Sequence, residues 1–338
     1  MSPYCSVAKS RKDKPPCGHW LSLQISSSGK HNAQWTQALK ACLVARGSLQ
    51  SGKSEFLVRP QLPGFVLMDV LGAWTSSVSD LATQFSDSKP YEHVVIHNFF
   101  KDSIANALCE EFPTPKSGAA HDWKHYDNPI EQKYSLNNLS ELPTTQGVFD
   151  ALQSAASLQL FSSLTTIKDL EADPLLHGAG LHAYPCRGKL DVHLDYQIHP
   201  VTGRERRVNL IVYLNRDWKN EWGGELELWD AARSTCVEKI NCGWNTAVLF
   251  RTSDLSYHGL PTPLKCPEGQ FRKSLAIYYV SPPRAGLQPR PKAQFFPNPM
   301  QDVDSKLFRL YEIRKTRLIS PEDLTSWPTW REEGGKWW

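Results

Sequence analysis

No apolar run approaches 18 residues anywhere in this 338-residue chain. The sequence therefore offers no stretch that reads as a membrane-spanning helix. Its eight cysteines, Cys5, Cys17, Cys42, Cys109, Cys186, Cys236, Cys242 and Cys266, form no C-x-x-C pair and no zinc spacing. Scattered in this way, they read as free thiols of a reducing compartment and not as a disulfide framework. A long basic run is also missing and the formal net charge is only +3, so composition gives no case for a nucleic-acid partner. The opening "MSPYCSVAKSRKDKPP" lacks the apolar stretch of a secretory signal. An intracellular protein is expected. Residues 1–60 hold nine Lys or Arg against two acids, Asp13 and Glu55. That balance fits an organelle transit peptide and fits a solvated tail equally well. No internal repeat is evident.

What the chain does contain is the material of a packed body. Hydrophobic residues make up 40% of it, with 12 Trp, 11 Tyr and 13 Phe, and disordered chains are poor in aromatics. Residues 1–85 read as an extension with one candidate helix, "NAQWTQALKACLVA". The patterned body spans 86–285. It begins with a strand in "HVVIHNFF". An amphipathic helix follows in "KDSIANALCEEFP", with Ile104, Leu108 and Phe112 at helical spacing and Asp102 or Ser103 as candidate N-cap. "HDWKHYDNPIEQKYSLNN" reads as a long polar loop, an ordinary surface loop or a cover for a substrate. One or two further helices are expected in 146–171.

From residue 180 the pattern changes to eight short strands separated by turn residues. They are "GLHAYP", "KLDVHLDY", "RRVNLIVYLN", "GELELWD", "CVEKIN", "NTAVLFR", "SYHG" and "FRKSLAIYYV". Eight strands in so short a span predict a double-sheet jelly roll or barrel, with the preceding helices packed on one outer face. The class is mainly β with packing helices, α+β. Residues 286–338 form a Pro- and Trp-rich tail in which "DSKLFRLYEIRKT" predicts one helix able to dock on the body.

Strand alternation places His193 and Asp195 of "KLDVHLDYQIHP" on one face and Val192 and Leu194 on the other. Asp191 shares the first face, placed at a site's mouth or behind a ligand. His199, before Pro200, reads as a surface or turn residue. An imidazole and a carboxylate side by side are half of the two-histidine, one-carboxylate triad that holds non-haem iron. Alone, H-x-D is equally a solvated strand face. The second half lies far along the chain: His258 comes 63 residues after Asp195, beside the seventh strand. On the last strand Arg272 and Ser274 share a face, where a guanidinium can pair with a ligand carboxylate. Asn209 sits in an otherwise apolar strand and needs a partner if buried. His182 and Tyr184 share a face that can reach the pocket edge.

With these motifs in place, residues 91–283 resemble the prolyl 4-hydroxylase-like group of Fe(II)/2-oxoglutarate-dependent dioxygenases. The stretch "RRVNLIVYLN", then "EWGGELELWD", and "CPEGQFRKSLAIYYV" carry that resemblance. It implies a double-stranded β-helix core, with His193, Asp195 and His258 as catalytic iron ligands. Arg272, assisted by Ser274, would bind 2-oxoglutarate, and Tyr184 would line the co-substrate pocket. It also implies O2 as oxidant, ascorbate as reductant, and hydroxylation of a peptidyl residue, such as proline, or of a small molecule, with succinate and CO2 released. The chain departs from prolyl 4-hydroxylases at Leu190, where they carry a tyrosine, and at Arg272, where they usually carry a lysine. Those departures leave the prolyl substrate open. Two other readings are a silent β-helix binding module and a cupin-like metal enzyme that uses no 2-oxoglutarate. The intact triad opposes the first, and Arg272 with Ser274 opposes the second.

Overall fold

The computed structural model describes residues 65–332 apart from 116–120, 288 and 302. The candidate helix in "NAQWTQALKACLVA" lies outside the described residues. All eight strands anticipated from residue 180 onward are present: β5 (Gly180–Tyr184), β6 (Lys189–Leu194), β7 (Glu205–Tyr213), β8 (Leu226–Trp229), β9 (Cys236–Ile240), β10 (Thr246–Arg251), β11 (His258–Leu260) and β12 (Arg272–Ser281). All pairings are antiparallel. One half of the sheet runs β10-β7-β12-β5, extended by β1 (His93–His97) on β10; the other runs β6-β11-β8-β9. The strand β3 (Glu131–Leu136) pairs with both β5 and β6 and joins the two halves, and the two-residue β4 (Glu171–Ala172) pairs with β12. This is a nearly closed double-stranded β-helix.

The helices cover one side. They are α1 (Leu67–Val70), α2 (Val78–Asp87), α3 (Asp102–Glu111), α4 (Pro143–Leu152) and α5 (Ala155–Thr165). Their apolar faces supply Phe85, Leu108, Phe149, Phe161 and Leu164 to one core with Val208, Leu210, Val212, Leu275 and Ile277 of the sheet. Each such side chain contributes roughly 1.5–3 kcal/mol on leaving water. Residues 65–85, placed with the extension on sequence grounds, pack Leu67, Val70, Leu71 and Phe85 into this core. The helix α3 begins after Lys101 with no side-chain cap, so neither Asp102 nor Ser103 fills the expected role.

The polar stretch read as a long loop is instead a hairpin. The strand β2 (Lys124–Asn128) pairs with β3 in the register Asn128↔Glu131. Asn128 closes the turn by accepting the N–H groups of Ile130 and Glu131 at 3.2 and 3.1 Å. One face of the hairpin lines a polar cavity with Lys124, Tyr126, Glu131, Lys133 and Ser135, and the other sets Tyr134 and Leu136 against the core, so polar residues interrupt the hydrophobic alternation that marks a strand.

The tail returns to the body. The two-residue strand β13 (Gln294–Phe295) pairs with β6. The helix α6 (Ser305–Arg314), capped by Asp304, buries Leu307, Leu310 and Tyr311 with Ile130, Phe295, Trp327 and Trp330. Among the described residues no helix is long and apolar enough to cross a membrane, and the five described cysteines are free thiols.

Candidate metal centre and co-substrate cavity

Strands β6 and β11 lie side by side with His193 directly opposite His258. Asp195 follows the last residue of β6. Their ligand atoms, one from each residue, all fall within 4.8 Å of one another. His193 Nε2 is 3.7 Å from Asp195 Oδ1, and His258 Nε2 is 3.8 Å from Oδ2. No other such group of three occurs among the described residues.

The outer ring nitrogens decide the tautomers. His193 Nδ1 is 2.9 Å from the carbonyl of Asp191, and His258 Nδ1 is 2.8 Å from that of Ser256. A carbonyl only accepts, so each Nδ1 carries the hydrogen and each Nε2 lone pair faces the centre. Burial pushes the pKa of both imidazoles below the ordinary histidine value, and for His193 the neighbouring His258 adds to this. Neutral rings with inward lone pairs are what a metal requires. Phe295 stacks on His193 at 5.0 Å, and Phe250 meets His258 edge-on at 4.8 Å. The rings are thus held in place before any ligand arrives.

Burial alone would raise the pKa of Asp195, but Arg206 beside it and the two histidines hold it well below the usual carboxylate range. Arg206 Nη1 is 2.9 Å from Oδ2, and Asn209 Nδ2 donates to the same oxygen at 3.2 Å. The guanidinium lies between the rings of Tyr196 and Tyr278, 3.7 and 3.4 Å from their centroids. Sequence reading missed Arg206 for a physical reason. Alternation backward from Tyr213, Ile211 and Asn209 points to Arg207. A bulge between Tyr279 and Val280 shifts the register so that Arg206 faces Val280 and turns inward.

Behind the triad lies an inner cavity of about 60 Å³. His193, Asp195, His258, Arg272, Ser274, Tyr184, His182 and Asn209 all line it, so every residue singled out in the sequence for metal or co-substrate meets there. Arg272 is buried; its Nε donates to the carbonyl of Gly224 at 2.6 Å, and the guanidinium lies over the rings of Tyr213 and Tyr184. Gly224 has φ +101°, and a Cβ there would stand 3.0 Å from Cys242 Sγ and 3.3 Å from Arg272 Cδ. Tyr213, also on the inward face of β7, was legible from alternation but not picked out. Its buried hydroxyl finds no protein partner of standard hydrogen-bond geometry, and burial pushes its pKa up to about 12. A guanidinium beside a buried hydroxyl at the inner end of the cavity suits a carboxylate.

Two residues of the same motif play other parts. Asp191 is fully buried, away from the cavity; its carboxylate is 2.6 Å from Lys189 Nζ and accepts from Tyr311 at 2.7 Å and from Gln301 at 3.1 Å. It anchors the tail behind His193. His199 is buried, not a surface residue: its Nδ1 accepts the N–H groups of Val201 and Thr202, both at 3.1 Å, and its Nε2 lies 3.3 Å from Asp173.

The donor set, two neutral imidazoles and one carboxylate on one side of an open cavity, fits non-haem Fe(II). Residues 179–280 match the sequence model of the 2OG-Fe(II) oxygenase superfamily. Those residues are a 2OG-Fe(II) oxygenase domain. The oxygenase family implies Fe(II), 2-oxoglutarate and O2. Solved structures similar to this chain include a prolyl hydroxylase from Trichoplax adhaerens in complex with a hypoxia-inducible-factor peptide fragment. It is 16% identical, covering 62% of this chain and 94% of that one, with a TM-score of 0.45. A Pseudomonas putida prolyl-4-hydroxylase is 17% identical over 61% and 100%, with a TM-score of 0.44. A prolyl 4-hydroxylase from Phytophthora capsici is 20% identical over 85% of each chain, with a TM-score of 0.45. A search of curated protein sequences finds no match.

Proposed function

We propose that this oxygenase holds Fe(II) through His193, Asp195 and His258 and hydroxylates a C–H bond of a peptidyl residue, proline among the candidates, or of a small molecule. The observation that carries this reading is the convergence of three ligand atoms within 4.8 Å in the same cavity as Arg272. Arg272, with Ser274 and Tyr213, would bind the distal carboxylate of 2-oxoglutarate, and Tyr184 would close that wall. Bound together, the metal and 2-oxoglutarate supply an oxidation in which the keto acid is converted to succinate and CO2. The chain's own residues then hold two neutral imidazoles in one tautomer, keep Asp195 ionised through Arg206, and exclude water with Phe250 and Phe295. A small residue at position 195 would leave room for a halide, and Asp195 fills that position, which favours hydroxylation. Ascorbate would serve as the external reductant. The catalytic domain would occupy 86–285, with the residues on either side completing its walls.

The test is anaerobic. Fe(II) and 2-oxoglutarate added to the full chain should give a metal-to-ligand charge-transfer band. His193→Ala should abolish it, and Arg272→Ala should raise the 2-oxoglutarate concentration needed to form it. Absence of the band in the native chain removes the chelate reading. Succinate release in air, with ascorbate, should follow the same order among the variants.

A further inference from the structure

Outside the metal centre an outer cavity of about 240 Å³ opens between the β2–β3 hairpin and the returning tail. Read as a loop, the hairpin did not disclose the charges that line it. Its walls carry Lys124, Lys133, Arg206, Lys292 and Arg314, opposed by the carboxylates of Glu131 and Asp195 alone. Asp195 is committed to Arg206. Glu131 is left to serve two cations at once: Lys133 Nζ at 3.3 Å from one oxygen and Arg314 Nε at 3.3 Å from the other.

Both contacts are longer than the roughly 2.7–2.9 Å of a well-made charged hydrogen bond. All three groups are largely out of water, with side-chain exposures of 14% for Lys133, 9% for Arg314 and 3% for Glu131. Among the described residues no second carboxylate lies within ion-pair distance of Lys133 or Arg314. A buried cation with half a partner is costly to keep. The ammonium has three donors, of which Glu131 engages one. Burial works against its charge, yet Tyr184 and Glu131 hold its pKa above the ordinary lysine value.

Lys133 also lines both cavities, as do His193 and Asp195. Its ammonium therefore faces the space that a substrate must enter to reach the metal. The co-substrate has its own cation, Arg272, which lines the inner cavity and not the outer one. We propose, on the oxygenase reading above, that the outer cavity selects substrates bearing a carboxylate, and that Lys133 is the specificity-determining residue that pairs with it. Arg314, reached through the shared Glu131, supports the pairing, and Lys124 and Lys292 at the rim draw the anion in. The acid is either free or part of a peptide; the chemistry recognised is the same.

The experiment uses the full chain with Fe(II) and 2-oxoglutarate under nitrogen, so that binding is read without turnover. Ac-Glu-amide is titrated against Ac-Gln-amide, and Ac-Glu-Pro-Glu-amide against Ac-Gln-Pro-Gln-amide, by calorimetry and by perturbation of the charge-transfer band. The acid of at least one pair should bind at least about tenfold more tightly than its amide, and less so as salt is raised. A preference in the peptide pair alone assigns a peptidyl acid; a preference in the single-residue pair extends the site to small acids. Lys133→Met should erase the preference, and Lys133→Arg should retain most of it. Both should leave the 2-oxoglutarate affinity within about twofold. Equal binding within both pairs, including no binding at all, overturns the proposal. So does a Lys133→Met chain that keeps the preference but loses 2-oxoglutarate, since Lys133 would then serve the co-substrate. A native chain without the charge-transfer band refutes the oxygenase reading instead, which keeps the two failures distinct.

Discussion

Arg206 is the residue on which the metal centre most depends without touching the metal. Replacing it by methionine keeps the bulk between Tyr196 and Tyr278 and removes the charge. Asp195, mostly buried, then loses its 2.9 Å ion pair and keeps only the 3.2 Å bond from Asn209. Breaking a buried pair from one side costs about 3–5 kcal/mol, and the two lost cation–π contacts add about 1–2 kcal/mol. For a folded body of this size that corresponds to a fall in Tm of roughly 10 °C. The loss should depend on metal. With EDTA present the Asp195 carboxylate is unpaired and the full deficit appears. With saturating Mn(II) the carboxylate regains a counter-charge, and only the cation–π part, about 1–2 kcal/mol, should remain. Urea unfolding of native and Arg206→Met chains under both conditions measures the difference. A deficit that is identical with and without metal, or one below about 1 kcal/mol in EDTA, would refute the assignment of Arg206 to the Asp195 carboxylate.

Three further outcomes follow from the same geometry. Burial, and then Lys133, lower the pKa of His182 to about 3. Between about 3 and the unfolded value near 6.5 the unfolded chain therefore binds the extra proton, so stability is full above that range and falls with acid, by about 2 kcal/mol at pH 5; His182→Gln should flatten that part of the pH profile in unfolding experiments. Tyr311→Phe removes the 2.7 Å bond to the Asp191 carboxylate, for a loss of about 1.5–3 kcal/mol in urea unfolding; an unchanged midpoint would mean that the tail is not anchored there. Gly224→Ala forces a Cβ toward Arg272 Cδ from a left-handed backbone, and should weaken 2-oxoglutarate binding roughly tenfold while leaving Mn(II) affinity unchanged in a metal titration.

Legibility in the sequence tracked the simplicity of the local physics. The eight strands could be read because each is a short run carrying apolar residues and bounded by turn residues. His193, Asp195, His258, Arg272 and Ser274 could be read because they lie on those strands at unbroken spacing, or beside them. Arg206 could not, because a one-residue bulge reverses the inward face at that point. The β2–β3 hairpin was obscured because polar residues interrupt both of its faces, so Glu131 and Lys133 gave no strand signal. The one available clue was their i, i+2 spacing, which puts both side chains on one face of any extended segment.

The tail shows why motif spacing alone describes half of such a site. Residues 281–332 fall outside the stretch that matches the oxygenase family, yet Phe295 stacks on His193, Arg290 Nε donates to the Asp195 carbonyl at 2.9 Å, and Tyr311 grips Asp191 two residues before His193. Three consecutive odd positions of one segment, 191, 193 and 195, are thus each held by the returning chain. A metal ligand on a strand edge has the freedom of that edge unless something pairs with it. Here β13 does so, in the register Phe295↔His193. The polar motif "KLDVHLDY" therefore serves two partners through alternate members of one face. His193 and Asp195 meet the cavity, while Asp191 turns its carboxylate to Lys189, Gln301 and Tyr311. Alternation assigns residues to a face, but only the packing of a distant segment decides which of them the cavity receives.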